Sequence, residues 1–286
     1  MPGVRDIKRR IRSVKSTQQI TKAMEMVAAA KLRRTQGAVI AARPYAEKLE
    51  EVLGRIVAST QDKVHPFMVK RPVKSVGFIL VTGDRGLAGG YNANVIRKTM
   101  VEVARITDAE KGFIPVGRKG RDYLRRRQRN MTAEFIGIND VPTVLEAKEI
   151  VDVAVKSYLD ETYDEIYLVY QEFVSALTQR PVIKQLLPIP YEEQEETGTS
   201  EYLYEPAPAQ VLDMLLPKYI LNKVFQGLTE AKASEHGARM SAMGSATKNA
   251  DEMIGKLVLS FNRARQAAIT REITEIVSGA DALKAQ

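Results

Sequence analysis

The stretch VRDIKRRIRSV, Val4–Val14, decides the fold. Its apolar residues Val4, Ile7, Ile11 and Val14 are spaced by 3, 4 and 3, the heptad seam of a coiled coil, and helix is the only reading with that period. Carried forward, the register meets Gln18, Thr21, Glu25 and Ala28, while Ile20, Met24 and Val27 fall on an adjacent, rotated face. The helix therefore has a second sticky face. The alternation resumes through Ala42, Tyr45, Leu49, Val52 and Ile56 in a phase displaced by one residue, and Pro44 marks a kink or local shift there.

A second helical stretch runs from about Ala209 to Ala282, beginning with Leu212, Leu215 and Tyr219, and Pro217 is tolerable in its first or second turn. Val224, Leu228, Ala231, Glu235, Ala238, Ala242 and Ser245 keep a 4, 3 alternation, and most of them are small enough to bring two helix axes close together. Leu257, Phe261, Ala264 and Ala268 continue the seam. Ile269, Ile273, Ile276 and Ala280 form a last stripe shifted by one residue. At 1.5 Å per residue this helix spans roughly 110 Å against roughly 80 Å for the first, so a terminal overhang of roughly 30 Å is expected.

Between the helices the signal changes to short apolar runs, Val76–Val81, Phe113–Val116, Ile166–Tyr170 and Val182–Leu187, which read as buried strands. Helical patterns at Val95, Ile96, Met100 and Val103 and at Ile150, Val151, Ala154 and Tyr158 separate them, which argues βαβ units and a mostly parallel sheet. The fold expected is α/β: a long antiparallel coiled coil of the terminal helices with an inserted Rossmann-like α/β domain. Its parts are an N-terminal helix over 1–58, the α/β domain over 73–190, an acidic linker loop over 191–208 and a C-terminal helix over 209–286.

The 286 residues hold no cysteine, which excludes a disulfide scaffold, thiolate metal sites and cysteine nucleophiles. The start MPGVRDIKRR has no apolar signal segment, and no run of about 18 apolar residues suggests a membrane span. A net charge of +8 and a pI near 9.5 favour acidic partners without choosing among them. His65 and His236 are too far apart in sequence to suggest a metal site or triad, and the run Glu192, Glu193, Glu195 and Glu196 reads as a solvated loop.

Two features leave alternatives open. TGDRGLAGGYN, Thr82–Asn92, follows a strand and opens a helix, so it suits either a tight structural turn, the reading favoured here, or a phosphate cradle. It lacks both the GK[ST] ending of a P-loop and the GxGxxG spacing. The cluster Arg118, Lys119, Arg121, Arg125, Arg126, Arg127 and Arg129 suits a solvated helix face or a nucleic-acid surface, but only Tyr123 is interleaved as a stacking aromatic.

Four motifs in order resemble the γ subunit of F-type ATP synthase, the bacterial-type F1 central stalk. They are IRSVKSTQQITKAMEMVAAAKLRR (Ile11–Arg34), TGDRGLAGGYN, ASEHGARMSAMGSAT (Ala233–Thr247) and ARQAAITREITEIVSGADAL (Ala264–Leu283). The resemblance covers the whole chain. It implies a noncatalytic rotor without cofactor or metal, coupling proton-driven rotation to ATP synthesis and hydrolysis at β-subunit sites of a surrounding α3β3 hexamer. Its other implied partners are the ε subunit and the c-ring of Fo. Nucleic acid is not among them, and membrane association, at the cytoplasmic face of a bacterial cell, is only through Fo. By motif position, Met24, Arg239, Gln266, Thr270 and Glu272 are implied β contacts, and Tyr202 and Tyr204 are implied contacts of the c-ring or ε. The cysteine-bearing insertion of chloroplast relatives is missing, so a bacterial source is expected.

Overall fold

The computed structural model describes residues 4–59, 65–190 and 208–284. Its elements are α1 (Val4–Ser59), β1 (Ser75–Val81), α2 (Tyr91–Arg105), β2 (Glu110–Val116), α3 (Arg118–Arg126), α4 (Val144–Leu159), β3 (Glu165–Phe173), β4 (Gln179–Leu187) and α5 (Pro208–Lys284). All four expected strands and both expected intervening helices are present. The chain divides into two compact units: residues up to Val27 with those from Ala242 onward, and Ala28–Ser241.

The larger unit is built on a sheet ordered β2-β1-β3-β4. The first three strands are parallel and β4 runs antiparallel to β3 at the edge. β1 is buried on both faces, as a central parallel strand requires. Alternate residues face opposite ways: Val76, Phe78 and Leu80 join Val95, Ile96 and Val103 of α2 and Leu124 of α3. Ile79 and Val81 join Ile150, Ala154 and Tyr158 of α4, Leu216, Ile220 and Val224 of α5, and Leu53 and Ile56 of α1. The sheet is thus covered by helices on both sides. On the α2 side, the rings of Phe113, Phe78 and Tyr167 stack across the strands at centroid spacings of 5.8 Å.

Along α1, the residues withdrawn from solvent include Val4, Ile7, Ile11, Val14, Gln18, Thr21, Glu25 and Ala28, then Leu32, Thr35, Val39, Ala42, Ala46, Leu49, Leu53 and Ile56. Their steps alternate 3 and 4 without a break. The phase shift expected at Tyr45 and Val52 does not occur; both are exposed, and Ala46 and Leu53 take their places. Ala42, Leu49 and Ile56 belong to either phase, so apolar character alone was ambiguous there. Pro44 lies on the exposed side, and α1 stays helical through it with the seam in one register.

α5 departs from expectation in detail. Pro217 lies in its third turn rather than the first two. The Asp213 carbonyl that loses its helical donor belongs to an exposed residue, where water can satisfy it. Residues 227–231 and 233–237 are all buried, because this part of α5 lies between the sheet and α1. A Cβ on Gly227 would come 2.7 Å from Leu168, so the small residues are what permit the approach.

In the smaller unit α1 and α5 run antiparallel. Thr21 Oγ1 lies 2.8 Å from Thr247 Oγ1, Gln18 donates to Asp251, and Gly244 faces the Glu25 carboxylate. The α5 seam there is Met243, Thr247, Ala250, Ile254, Leu257, Phe261 and Ala264, so Ser245 and Ala268 are exposed rather than seam residues. The Thr21–Thr247 pairing, carried along, sets Val4 opposite Ala264.

Gly112 is held to glycine by Tyr163, whose hydroxyl would lie 1.9 Å from a Cβ at that position. Gly112→Ala is expected to cost about 3 kcal/mol through overpacking, read as a lowered denaturation midpoint. In a Tyr163→Ala background the same change should be nearly neutral, and equal costs in both backgrounds would disprove the steric account.

Candidate functional site

The glycine turn after β1 and the small-residue stretch of α5 meet in a buried polar cluster within the larger unit. Gly83 donates its N–H to Asn92 Oδ1 at 2.8 Å, which closes the turn on the start of α2. Asp84 accepts from the backbone N–H groups of Arg118 and Gly137, both at 3.0 Å, and so joins the turn to α3 and to the segment before α4. A Cβ on Gly83 would stand 3.0 Å from the Glu235 carboxyl, so glycine lets α5 approach this closely.

Glu235, only 5% exposed, accepts from Arg239 at 2.7 Å, and the same guanidinium donates to the Gly86 carbonyl at 3.3 Å. Lys232 donates to the Ile138 carbonyl at 2.8 Å and lies 3.8 Å from Glu235. Asp140 takes an ion pair from Lys31 of α1 at 2.7 Å. His236 Nε2 lies 3.2 Å from Asp140 but is misaligned for a hydrogen bond, while Nδ1 faces Arg239 at 3.4 Å. One network therefore ties α1, α5, the glycine turn and the segment at Ile138–Asp140 together.

Its electrostatics follow from burial. Desolvation holds the His236 imidazole below its ordinary pKa, against the pull of Glu235 and Asp140. Burial works against the Asp140 carboxylate, yet Lys31 and His236 keep its pKa below the usual range. Burial pushes the Tyr91 phenol far up, and Glu235 adds to the rise. The cavity beside the turn measures about 10 Å³ and is lined by Asp84 and Glu235 among others. That is room for one water at most, and two carboxylates would repel a phosphate. The turn is built to dock a helix.

Arg239 is thus engaged inside the chain, with its side chain 12% exposed. Met24 is partly buried in the smaller unit, whereas Gln266, Thr270 and Glu272 are exposed on α5. Arg239 belongs to the larger unit, and Met24, Gln266, Thr270 and Glu272 to the smaller. Tyr202 and Tyr204 lie outside the described residues, as does the glutamate run at 192–196. Ile269, Ile273 and Ile276 are exposed past the point where α1 begins. In the basic cluster, Arg121 and Arg125 pair with Glu134, and Arg127 stacks on Tyr123 at 3.9 Å, so much of its charge is met locally. Lys31 and Asp140 escaped the sequence reading because charged residues far apart in a chain carry no pairing signal. Among the described residues no helix is long and apolar enough to cross a membrane.

The ATP synthase family model matches residues 3–283. The ATP synthase gamma chain of Heliobacterium modesticaldum is 54% identical over 291 residues, covering 99% of this chain and 100% of its own length. That of Moorella thermoacetica is 56% identical over 284 residues, with the same coverage. Among solved structures, a chain of the Euglena gracilis mitochondrial ATP synthase rotor aligns with a TM-score of 0.67 at 18% identity, covering 93% of this chain and 98% of that one. One from the Tetrahymena thermophila central stalk and c-ring aligns at 0.60 with 24% identity, covering 79% and 99%. At those identities the structural likeness speaks for the fold.

Two outcomes are expected of the buried cluster. Arg239→Met leaves the Glu235 carboxylate without its closest cation and should cost about 3 kcal/mol, whereas the double change with Glu235→Gln should cost clearly less, as denaturant titration would measure. Because His236 binds its proton less readily when folded, the unfolded chain gains protons first as pH falls below the ordinary 6.5. Stability should fall through that window and level off below the lowered folded value. His65, lowered also by burial, contributes with the same sign. His236→Gln should flatten the fall; an unchanged slope would contradict the assignment.

Proposed function

The chain belongs to the ATP synthase gamma chain family, and from that premise we propose that it is the rotating, noncatalytic central-stalk subunit of an F-type ATP synthase. The observation that carries the reading furthest is the exposed apolar stripe at the end of α5, Ile269, Ile273, Ile276 and Val277, which are 49% to 65% exposed. α1 starts too late in the register to cover it. Ile20 and Val27 add exposed apolar surface on α1. Surface of this kind calls for a surrounding partner, here the α3β3 hexamer.

In this proposal Met24, Gln266, Thr270 and Glu272 face β subunits, and Arg239 fixes α5 to the glycine turn in addition to any contact it makes outside. The α/β region over 73–190 acts as the foot on ε and the c-ring, with 1–58 and 209–286 as the stalk helices, 191–208 as the linker, and Tyr202 and Tyr204 as contacts of the foot. The complex sits at the cytoplasmic face of a bacterial membrane, and this subunit touches it only through Fo. The noncatalytic role is supported by the glycine turn, whose polar groups bind one another around a cavity of about 10 Å³.

The mechanism rests on asymmetry. Each β subunit meets a different face of the helices at a given angle, and a ligand or partner shifts an equilibrium only by its differential contacts with the two states. Rotation therefore moves the three β subunits through their states in sequence, and the net charge of +8 suits acidic levers on them.

Mixed with α and β subunits, the full chain is expected to give a stable assembly with one copy per hexamer, and failure to assemble would be a serious objection. Truncation after Ala268 should preserve assembly but reduce proton pumping per ATP hydrolysed severalfold. Undiminished coupling in that variant would remove the stripe as an essential bearing.

A further inference from the structure

We propose that Lys232 is a positioning residue for rotary coupling: its ammonium fixes the angular setting of α5 against the α/β domain, so that the two turn together under load. The proposal rests on the rotor reading given above. Lys232, Glu235, His236 and Arg239 follow at steps of 3, 1 and 3, which places them on one face of α5. The core residues Ile220, Val224, Leu228 and Ala231 form the face beside it. α5 thus meets the domain through an apolar face and a polar one.

Of the four polar residues, Lys232 has the acceptor best able to fix an angle. Its side chain is 13% exposed and donates to the Ile138 carbonyl at 2.8 Å. That carbonyl is held by its own neighbours. The Gly137 N–H donates to Asp84 at 3.0 Å, the Asn139 N–H to Glu146 at 2.8 Å, and Asp140 pairs with Lys31 at 2.7 Å. The acceptor is therefore tied to the turn after β1, to the first turn of α4 and to α1. By contrast, Glu235 and Arg239 pair with each other inside α5, and His236 Nε2 has no hydrogen-bond partner.

At the surface radius of a helix, a rotation of about 20° displaces a side chain by roughly 2 Å. An apolar contact weakens gradually over that distance, whereas a hydrogen bond is lost, and the charged donor makes its loss costlier. A solvated lysine would follow the rotation by changing rotamer. Lys232 borders a cavity of only about 10 Å³, which leaves little room to do so.

The chain has no cysteine, so paired spin labels can be placed at the exposed positions Asp108→Cys, after α2, and Ser241→Cys, on α5. In the full-length chain Lys232→Met is expected to broaden the distance distribution between them by roughly 2 Å. Asp140→Asn, at a half-exposed position that the fold tolerates, loosens the anchorage of the acceptor and should broaden it in the same direction. Leu216→Val, which loosens the apolar face alone, should leave the width unchanged. In the assembled enzyme Lys232→Met should lower the protons pumped per ATP hydrolysed about twofold or more. Unchanged width in Lys232→Met overturns the proposal, as does unchanged width in Asp140→Asn if the first variant does not fold. Equal broadening by Leu216→Val, or broadening with undiminished pumping, overturns it too. A wild-type chain that neither assembles nor pumps speaks against the rotor reading instead, and the distance measurement still reads the angular tie.

Discussion

The close approach of α5 to the sheet is the constraint on which the larger unit depends. A helix flanked by a sheet on one side and another helix on the other has no solvent face. A larger side chain at Gly227 or Gly237 would have to displace a neighbour, since a Cβ there would come 2.7 Å from Leu168 or 2.9 Å from the Ala176 carbonyl. Gly227 above Leu168 and Tyr170, Ala231 in the core beneath, Ala233 beside Leu32 and Val39, and Gly237 against the Ala176 carbonyl each remove volume where a partner needs it. Close packing of this kind leaves polar backbone within reach, and Ser234 uses it by donating to the Gln171 carbonyl at 3.0 Å. The small residues are a packing requirement in which almost every position has an identifiable neighbour.

The same approach brings charge into the interior. Glu235 and Arg239 sit one turn apart on α5, so their pairing is local, but the Gly86 carbonyl extends it to the turn after β1. Lys232 does likewise with Ile138, and Lys31 reaches Asp140 from α1. A buried ion pair gives little net stability, because desolvation consumes most of the attraction. What it supplies is a penalty for misplacement: a rotation of α5 about its axis would strand several charges at once. An apolar contact would tolerate that rotation more readily. The network therefore fixes the angular setting of the helix against the α/β domain more firmly than hydrophobic packing alone.

Much of this was legible in the residues, for reasons that also explain what was not. Val4, Ile7, Ile11 and Val14 disclose a heptad because they are large, apolar and regularly spaced, and the strand runs disclose themselves because a sheet covered on both faces needs unbroken apolar segments. Tyr45 and Val52 misled because they differ from Ala46 and Leu53 by one position and have comparable apolar character. Only a partner surface distinguishes the two phases, and Leu49 and Ile56 satisfy both. The glycine turn was readable as a turn, but its task of receiving Glu235 and Arg239 was not, since those residues lie some 150 positions away in a part of the chain that carries its own complete pattern.

The smaller unit shows the opposite balance. Its seam contains Gln18, Thr21 and Glu25 where an optimised coiled coil would place leucine or isoleucine, and α5 answers with Asp251, Thr247 and Gly244. Polar layers reduce the attraction between two helices but penalise any slip in register, since a slipped polar group meets a methyl instead of a donor. Meanwhile Ile20, Met26 and Val27 remain exposed on the outer side of α1, and the stripe from Ile269 stays exposed past the end of its partner. Around Gln18–Glu25, then, polar side chains occupy the seam while the apolar Ile20, Met26 and Val27 stay outside it. For two helices stabilised only by each other this arrangement would be unfavourable. It becomes reasonable if the inner seam serves to hold register while the outer surfaces make contact with another protein, which is the arrangement a central stalk inside a hexamer requires.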